Sequence, residues 1–378
     1  MGSFSLFGRI LIIVLSTFNT EQPVIKAKIQ HDKPSEYYDM KDSDIANAKD
    51  ATPLVVAALK ICKLKGYKGI KFPKGVYHFY PTFAPEYYCT ITNNDNGLKR
   101  TPFPIFDFND FHIEGGGSDF IFHGKILPFI IERSTDVLVS NLSIDWEVPF
   151  FVQGTVIDNN PRDKSFDISV ETPYLVEDKN IFLTIERENT LYEKKFGNRY
   201  AKQEKYHQRL GQNIIWDRNT KAPLYNNRKY SGFENSFFFE AAKVGEGVVR
   251  LKSKYQEVPP VGSVFISKGE YLFNRECPGF RIFQCKDLHF NNINIYHAGA
   301  MGLIAERSEN ITLDSFNVVL REGSQRLVTT IADATHFCNC KGLITIKNCI
   351  FENMLDDATN IHGTYARINT LLKDNQIA

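Results

Sequence analysis

Net charge is almost absent from this chain. Its 378 residues carry 45 lysines and arginines against 44 aspartates and glutamates, a balance of +1. No overall field therefore points to nucleic acid or to an acidic lipid surface. Long apolar runs are also lacking. The candidate run, Ile10 to Leu15, is too short to span a bilayer, and no later segment resembles a transmembrane helix. Arg9 precedes that run and a polar stretch follows it, the pattern of a secretory signal over residues 1–20. Export to the periplasm, cell surface or medium of a bacterium is expected. No cysteine follows the run, so no lipoprotein anchor is indicated. The seven cysteines are odd in number and include no Cys-x-x-Cys pair. They read as small buried hydrophobes. Cys338 and Cys340 lack further metal-ligand partners, so no metal and no cofactor is expected.

What is present is length enough for one large or two medium domains, and aromatic residues at 13%. Aromatics at that level suit a rigid, β-rich and sugar-stacking protein, although most aromatics are simply core. After an irregular polar stretch, Asp50-Ala51-Thr52-Pro53 marks a helix start, with Thr52 or Asp50 as cap. Leu54, Ala57, Ala58, Ile61 and Leu64 recur at helical spacing, and Gly66 ends the helix. A strand follows at Gly69-Ile70-Lys71-Phe72.

Four later segments align without gaps: residues 134–145, 285–296, 308–319 and 341–352. Their apolar residues share four columns. These are Val137, Leu288, Ile311 and Ile344; Val139, Phe290, Leu313 and Ile346; Leu142, Ile293, Phe316 and Cys349; and Ile144, Ile295, Val318 and Phe351. A polar column of Asn141, Asn292, Ser315 and Asn348 divides each unit into two short alternating strands. A weaker copy starts near Asn109. No unit can bury its own apolar face, so the units must stack on one shared core. The asparagine column suits a ladder of stacked amides. The last three units start 23 and 33 residues apart, lengths that suit coils of a right-handed parallel β-helix. Leucine-rich repeats are disfavoured, because the units lack the Leu-x-x-Leu-x-Leu pattern.

The first two units start 151 residues apart, so a large insertion separates them. The expected class is all-β. An N-terminal capping helix and first coils occupy residues 40–145. An inserted antiparallel, barrel-like β domain occupies 146–268, and further coils occupy 269–378. Trp216 and the many tyrosines of the insertion could stack on sugars, or fill its core.

The chemistry concentrates in residues 331–363. Asp-Ala-Thr occurs there twice, at Asp333-Ala334-Thr335 and Asp357-Ala358-Thr359, with an extra acid, Asp356, before the second copy. The copies lie 24 residues apart, one coil. Neighbouring parallel strands stand about 4.8 Å apart, which places Asp333 and Asp357 in one column with Asp356 beside them. Three carboxylates so close repel, and at least one is expected to hold its proton more tightly. Such a cluster suits a bound cation or acid/base catalysis. Glycoside hydrolysis needs an acid at the leaving oxygen and a carboxylate for water, about 6.5–9.5 Å apart in inverting enzymes. Taken singly, each aspartate reads as a turn residue, and it is the repeated Asp-Ala-Thr with the doubled acid that favours function.

The tandem Asp356-Asp357 with Asp333 one coil earlier is similar to the acidic trio of β-helical polygalacturonases. Their Asn-Thr-Asp and Gly-His-Gly elements are missing here, replaced by Ile331-Ala332-Asp333 and Ile361-His362-Gly363. Residues 40–366 more closely resemble glycoside hydrolase family 110, the exo-acting α-1,3-galactosidases of gut and marine bacteria. Asp333-Ala334-Thr335-His336-Phe337, the run Asp356 to Gly363, the insertion and the N-terminal helix carry that resemblance. It implies inversion without a metal, acting on glycans with terminal α-galactose, group B-type or linear. It implies Asp356 as general acid, with Asp333 and Asp357 positioning and activating water. His336, Asn360 and His362 flank the acids as candidate contacts to galactose hydroxyls, or as loop-ordering hydrogen-bond donors and acceptors. Only 21 residues follow Asp357. Against the longer members of the family, this implies a chain cut short at its C-terminus, an open strand edge beside the acids and weak or absent turnover.

Two other readings stand beside this one. A β-helical pectin hydrolase would want a cationic subsite, for which Lys341, Lys347 and Arg367 lie near in sequence. An inactive glycan-binding β-helix would bind without turnover. Arg321-Glu322, in the longer coil, could reach the mouth of the site.

Overall fold

The protein is described from a computed structural model. The structure describes residues 36–177, 179–185, 206–230, 239–253, 257–269, 274–365, 367, 368 and 370. The expected signal, residues 1–20, lies outside the described residues.

The alternating units of the sequence form parallel strands stacked coil upon coil. One sheet runs through Gly69–Lys71, Asn109–Phe122, Thr135–Trp146, Lys286–Ile295, Glu309–Val318 and Lys341–Lys347. Its register joins Val137 to Leu288, Leu288 to Ile311 and Ile311 to Ile344. The second column pairs likewise through Ile346, the third joins Leu142, Ile293 and Phe316, and the fourth joins Ile144, Ile295 and Val318 and reaches Phe351 through a single bridge. The weaker copy joins the same stack, with Phe111 opposite Val137 and Ile113 opposite Val139. A second parallel sheet runs through Phe103–Phe106, Phe129–Glu132, Phe280–Phe283, Leu303–Glu306, Thr335–Cys338 and Thr359–His362. The core between the sheets is aromatic. Phe103, Phe129 and Phe280 stack in sequence, with ring centroids 4.3 and 4.6 Å apart. The expected all-β, coil-stacked class is therefore observed.

The polar column is held by backbone conformation more than by an amide ladder. Asn141, Asn292, Ser315 and Asn348 all have φ between 52° and 58°, the left-handed region that asparagine tolerates best. Asn292 Nδ2 does donate to Asn141 Oδ1 at 2.8 Å, but Asn348 Nδ2 donates instead to Asp314 Oδ1. A second left-handed column, Asp110, Asp136, Asp287 and Asn310, turns each coil into the same sheet.

The helix spans Thr52–Lys65 and ends at Gly66, φ 71°, whose N–H donates to the Cys62 carbonyl. Asp50 Oδ1 accepts from the Thr52 amide at 2.9 Å. Its buried face is Val55, Ala58, Leu59 and Cys62, one step round from the expected stripe, and Leu64 is exposed. Packing against the first coils selected that face, because Val55, Leu59 and Cys62 share one side at i, i+4 and i+7.

Between Trp146 and Lys286 the chain leaves the stack and returns to pair directly with the coil it left. The excursion forms a seven-stranded antiparallel sheet, from Ala222–Pro223 through Gln212–Asp217, Val264–Gly269, Val152–Asn160, Ser165–Val170 and Val248–Ser253 to Phe239–Gly245. Trp216 is buried in its core. All seven cysteines are unpaired, and five of them are buried. Among the described residues, no helix is long and apolar enough to cross a membrane.

Candidate active site

The repeated Asp-Ala-Thr is explained by the corner that leads into the second sheet. Successive coils meet there through Gly302 N to Asp333 O at 3.0 Å and Ala334 N to Asp357 O at 2.9 Å. A Cβ on Gly302 would stand 2.6 Å from the Ala334 carbonyl, and one on Gly279 2.7 Å from the Gly302 carbonyl. The corner therefore admits only small residues, and Ala334 and Ala358 fill the equivalent positions. The threonines stack one coil on the next, Thr335 Oγ1 to Thr359 Oγ1 at 3.0 Å. The structure thus places Asp333 and Asp357 on adjacent coils in one column, with Asp356 next to them.

The three acids have different surroundings. Asp333 is 2% exposed, and its Oδ2 stands 2.7 Å from Nδ1 of the fully buried His336. His336 Nε2 faces His362 Nε2 at 2.8 Å, and His362 Nδ1 donates to the Gly363 carbonyl at 2.8 Å. Asp357 is exposed and accepts from Asn360 Nδ2 at 3.1 Å. Asp356 forms an ion pair with Arg275. His336, Asn360 and His362 are thus brought to the acids. In both His336 and His362 the two ring nitrogens are engaged; the His336 ring is out of reach of solvent, whereas Asn360 and His362 are half-buried.

Two cations at the site escaped the sequence reading. Lys268 is the penultimate residue of the wholly buried strand Val264–Gly269, and its Nζ lies 3.4 Å from the Ile331 carbonyl and 3.5 Å from that of Leu355. These carbonyls precede Asp333 and Asp356. Burial pulls the Lys268 ammonium down to about 8, the Arg275 charge adds to the fall, and Asp356 and Asp333 oppose it. Arg275 also donates to the Asn93 carbonyl at 3.2 Å. Its backbone N–H donates to Asp95 Oδ2 and its carbonyl accepts from the Asp95 amide, both at 3.1 Å. Burial raises the Asp95 carboxyl above the usual carboxylate range, and the Arg275 amide opposes that rise. One signal was available for Lys268: a lone cation after Val264-Phe265-Ile266, where the insertion rejoins the stack. For Arg275 the sequence offered none.

Other expected neighbours lie elsewhere. Arg321 bonds Asp145 and Asp119 and covers the Tyr296 ring at 4.1 Å, which pins the long coil loop to the first sheet. Lys341 and Lys347 pair with Glu309 and Asp314 on that same sheet. Among the described residues, no group of three or more His, Cys, Asp or Glu is placed to hold a metal ion.

Residues 152–265 match the GLAA-B beta-barrel domain I. The chain is 33% identical over 332 residues to the alpha-1,3-galactosidase A of Shewanella woodyi, covering 87% of this chain and 51% of the relative. This chain is a homologue of the α-1,3-galactosidases A and B. The alpha-1,3-galactosidase B of Bacteroides thetaiotaomicron is 28% identical over 335 residues, 87% of this chain and 50% of the relative. One from Phocaeicola vulgatus is 30% identical over 313 residues, 81% of this chain and 47% of the relative. The resemblance to glycoside hydrolase family 110 is thereby borne out. This galactosidase homologue spans about half the length of the curated relatives it matches.

Proposed function

We propose that the chain takes part in exo-acting hydrolysis of terminal α-1,3-linked galactose from glycans, group B-type or linear, with inversion. The supporting observation is the stacking of Asp333 on Asp357 with Asp356 alongside, in a homologue of α-1,3-galactosidases. Two carboxyl groups hold the attacking water and a third protonates the leaving oxygen. On family resemblance, Asp356 is the acid, and Asp333 with Asp357 handle water. Asp356 is paired with Arg275, so donation by Asp356 requires the guanidinium to give way as substrate enters. Asn360, half-buried beside Asp357, is the side chain placed to meet galactose hydroxyls, whereas both ring nitrogens of His362 are already bonded, to His336 and to the Gly363 carbonyl. The site is proposed to work without a cofactor, in an exported protein.

The test is hydrolysis of α-1,3-linked galactobiose by the wild type and by D333N, D356N and D357N. Turnover lost in all three, with the fold retained by circular dichroism, supports the proposal. Wild-type turnover that survives in any two of them overturns it.

A further inference from the structure

The histidines beside Asp333 form a chain whose protons can be counted. The Gly363 carbonyl can only accept, so the hydrogen on that contact belongs to His362 Nδ1. One hydrogen must lie between His336 Nε2 and His362 Nε2, at 2.8 Å, and one between His336 Nδ1 and Asp333 Oδ2, at 2.7 Å. Three contacts need three hydrogens. An ionised aspartate with two neutral imidazoles supplies two. That state leaves two lone pairs facing each other, and His336 and Asp333 are both buried, where an unmade hydrogen bond is most costly.

We infer that Asp333, His336 and His362 hold one proton in common and act as a single neutral unit. The proton sits on Asp333, on His336 or on His362, and each placement satisfies all three contacts. Nothing in the column of His336 competes for it. The neighbours there are Ile304 on one coil and Asn360 on the next. Of the charged groups around the unit, Lys268 of the insertion acts on Asp333, and Asp357 follows Asp333 one coil on, with its exposed carboxylate bonded to Asn360.

The shared proton removes the repulsion that two stacked carboxylates would otherwise suffer. It also divides the labour within the proposed function, on which this consequence rests. Asp357 remains as the exposed carboxylate of the column, and Asp333 becomes a group that can take or give a proton through the histidines. His336 and His362 are positioning residues for Asp333, and His362, half-buried, is the end of the chain nearest solvent.

The test reads protonation directly, so its failure is separate from any failure of galactose hydrolysis. Histidine ¹⁵N and aspartate side-chain ¹³C resonances of the wild type are recorded at about pH 8, where an ordinary imidazole and an ordinary carboxyl are both deprotonated. H336Q, H362Q and D333N serve only to assign the signals. The expected result is His362 protonated at Nδ1, together with one extra proton, seen as a protonated Asp333 carboxyl or as one imidazole bearing two N–H groups. An ionised Asp333 with two imidazoles of one proton each overturns the inference.

Discussion

Lys268 Nζ lies 3.5 Å from the carbonyl oxygen of Leu355, the residue before Asp356. One ammonium of the insertion thus joins the two coils that carry the acids, since it also reaches the Ile331 carbonyl. Burying that charge has a pH-dependent cost. The ammonium falls from the ordinary value to about 8 in the folded protein. Below about pH 8 both folded and unfolded chains carry the proton, and the full penalty is present. Between about pH 8 and 10.5 the unfolded chain binds the extra proton, so stability rises with pH. K268M is expected to abolish that rise and to stabilise the protein at pH 7, by on the order of 1–3 kcal/mol. Urea denaturation at pH 7 and pH 9.5 measures both. A midpoint that falls at pH 7 contradicts the expectation.

His297 is a second buried ionisable group, at the junction of insertion and coils. Its Nε2 accepts from the Phe150 amide at 2.9 Å and its Nδ1 donates to the Thr329 carbonyl at 2.6 Å, so the ring is neutral. Burial holds it well below its ordinary value, and the Arg326 charge adds to this. As pH falls through about 6.5, only the unfolded chain gains the proton, and stability is lost by about 1.4 kcal/mol per pH unit. H297Q is expected to flatten this acid limb between pH 6.5 and 5, read from denaturant midpoints. An equally steep limb in H297Q assigns the loss to other groups.

Gly302 tests why the acid motif contains alanine. A methyl group there meets the Ala334 carbonyl at 2.6 Å and must displace the corner. G302A is expected to destabilise by about 1–3 kcal/mol. The same change at Gly247, where no atom lies within 4 Å but φ is 68°, tests backbone strain alone, and about 1 kcal/mol is expected. Equal losses at both sites would show that crowding at the corner is not the constraint.

Arg275 and Asp356 form a partly exposed pair, 19% and 39% for the two side chains. Pairs of that kind contribute little to stability, about 1 kcal/mol or less. R275M is therefore expected to fold nearly as well as the wild type. Because the guanidinium must give way before Asp356 can donate its proton, galactose release by R275M is expected to rise, by up to about tenfold. Unchanged release would remove Arg275 from the site.

The coil stack was legible because its signal is periodic. Val137, Leu288, Ile311 and Ile344 occupy one column in both sequence and structure, since alternation and coil length are local properties. The stacked acids followed from the same coil length. The helix face was misread because several stripes of Thr52–Lys65 are apolar, and only packing selects Val55, Leu59 and Cys62. Asn141 and Asn292 announced a bend, but its cause is a left-handed backbone and not a continuous amide ladder. Lys268 and Arg275 were missed for a different reason. They reach Asp333 and Asp356 only because a long insertion folds back, and no periodicity encodes that return. The pairing of His336 with Asp333 rests on three-residue spacing at a corner, which a sequence shows without showing direction.

The most direct test is galactose release from an α-1,3-linked galactobiose and a group B trisaccharide, followed by NMR of the anomer first formed. Inverting hydrolysis predicts β-galactose first, with loss of that signal in D357N. Early α-galactose, or no release by a chain that circular dichroism shows to be folded, contradicts it.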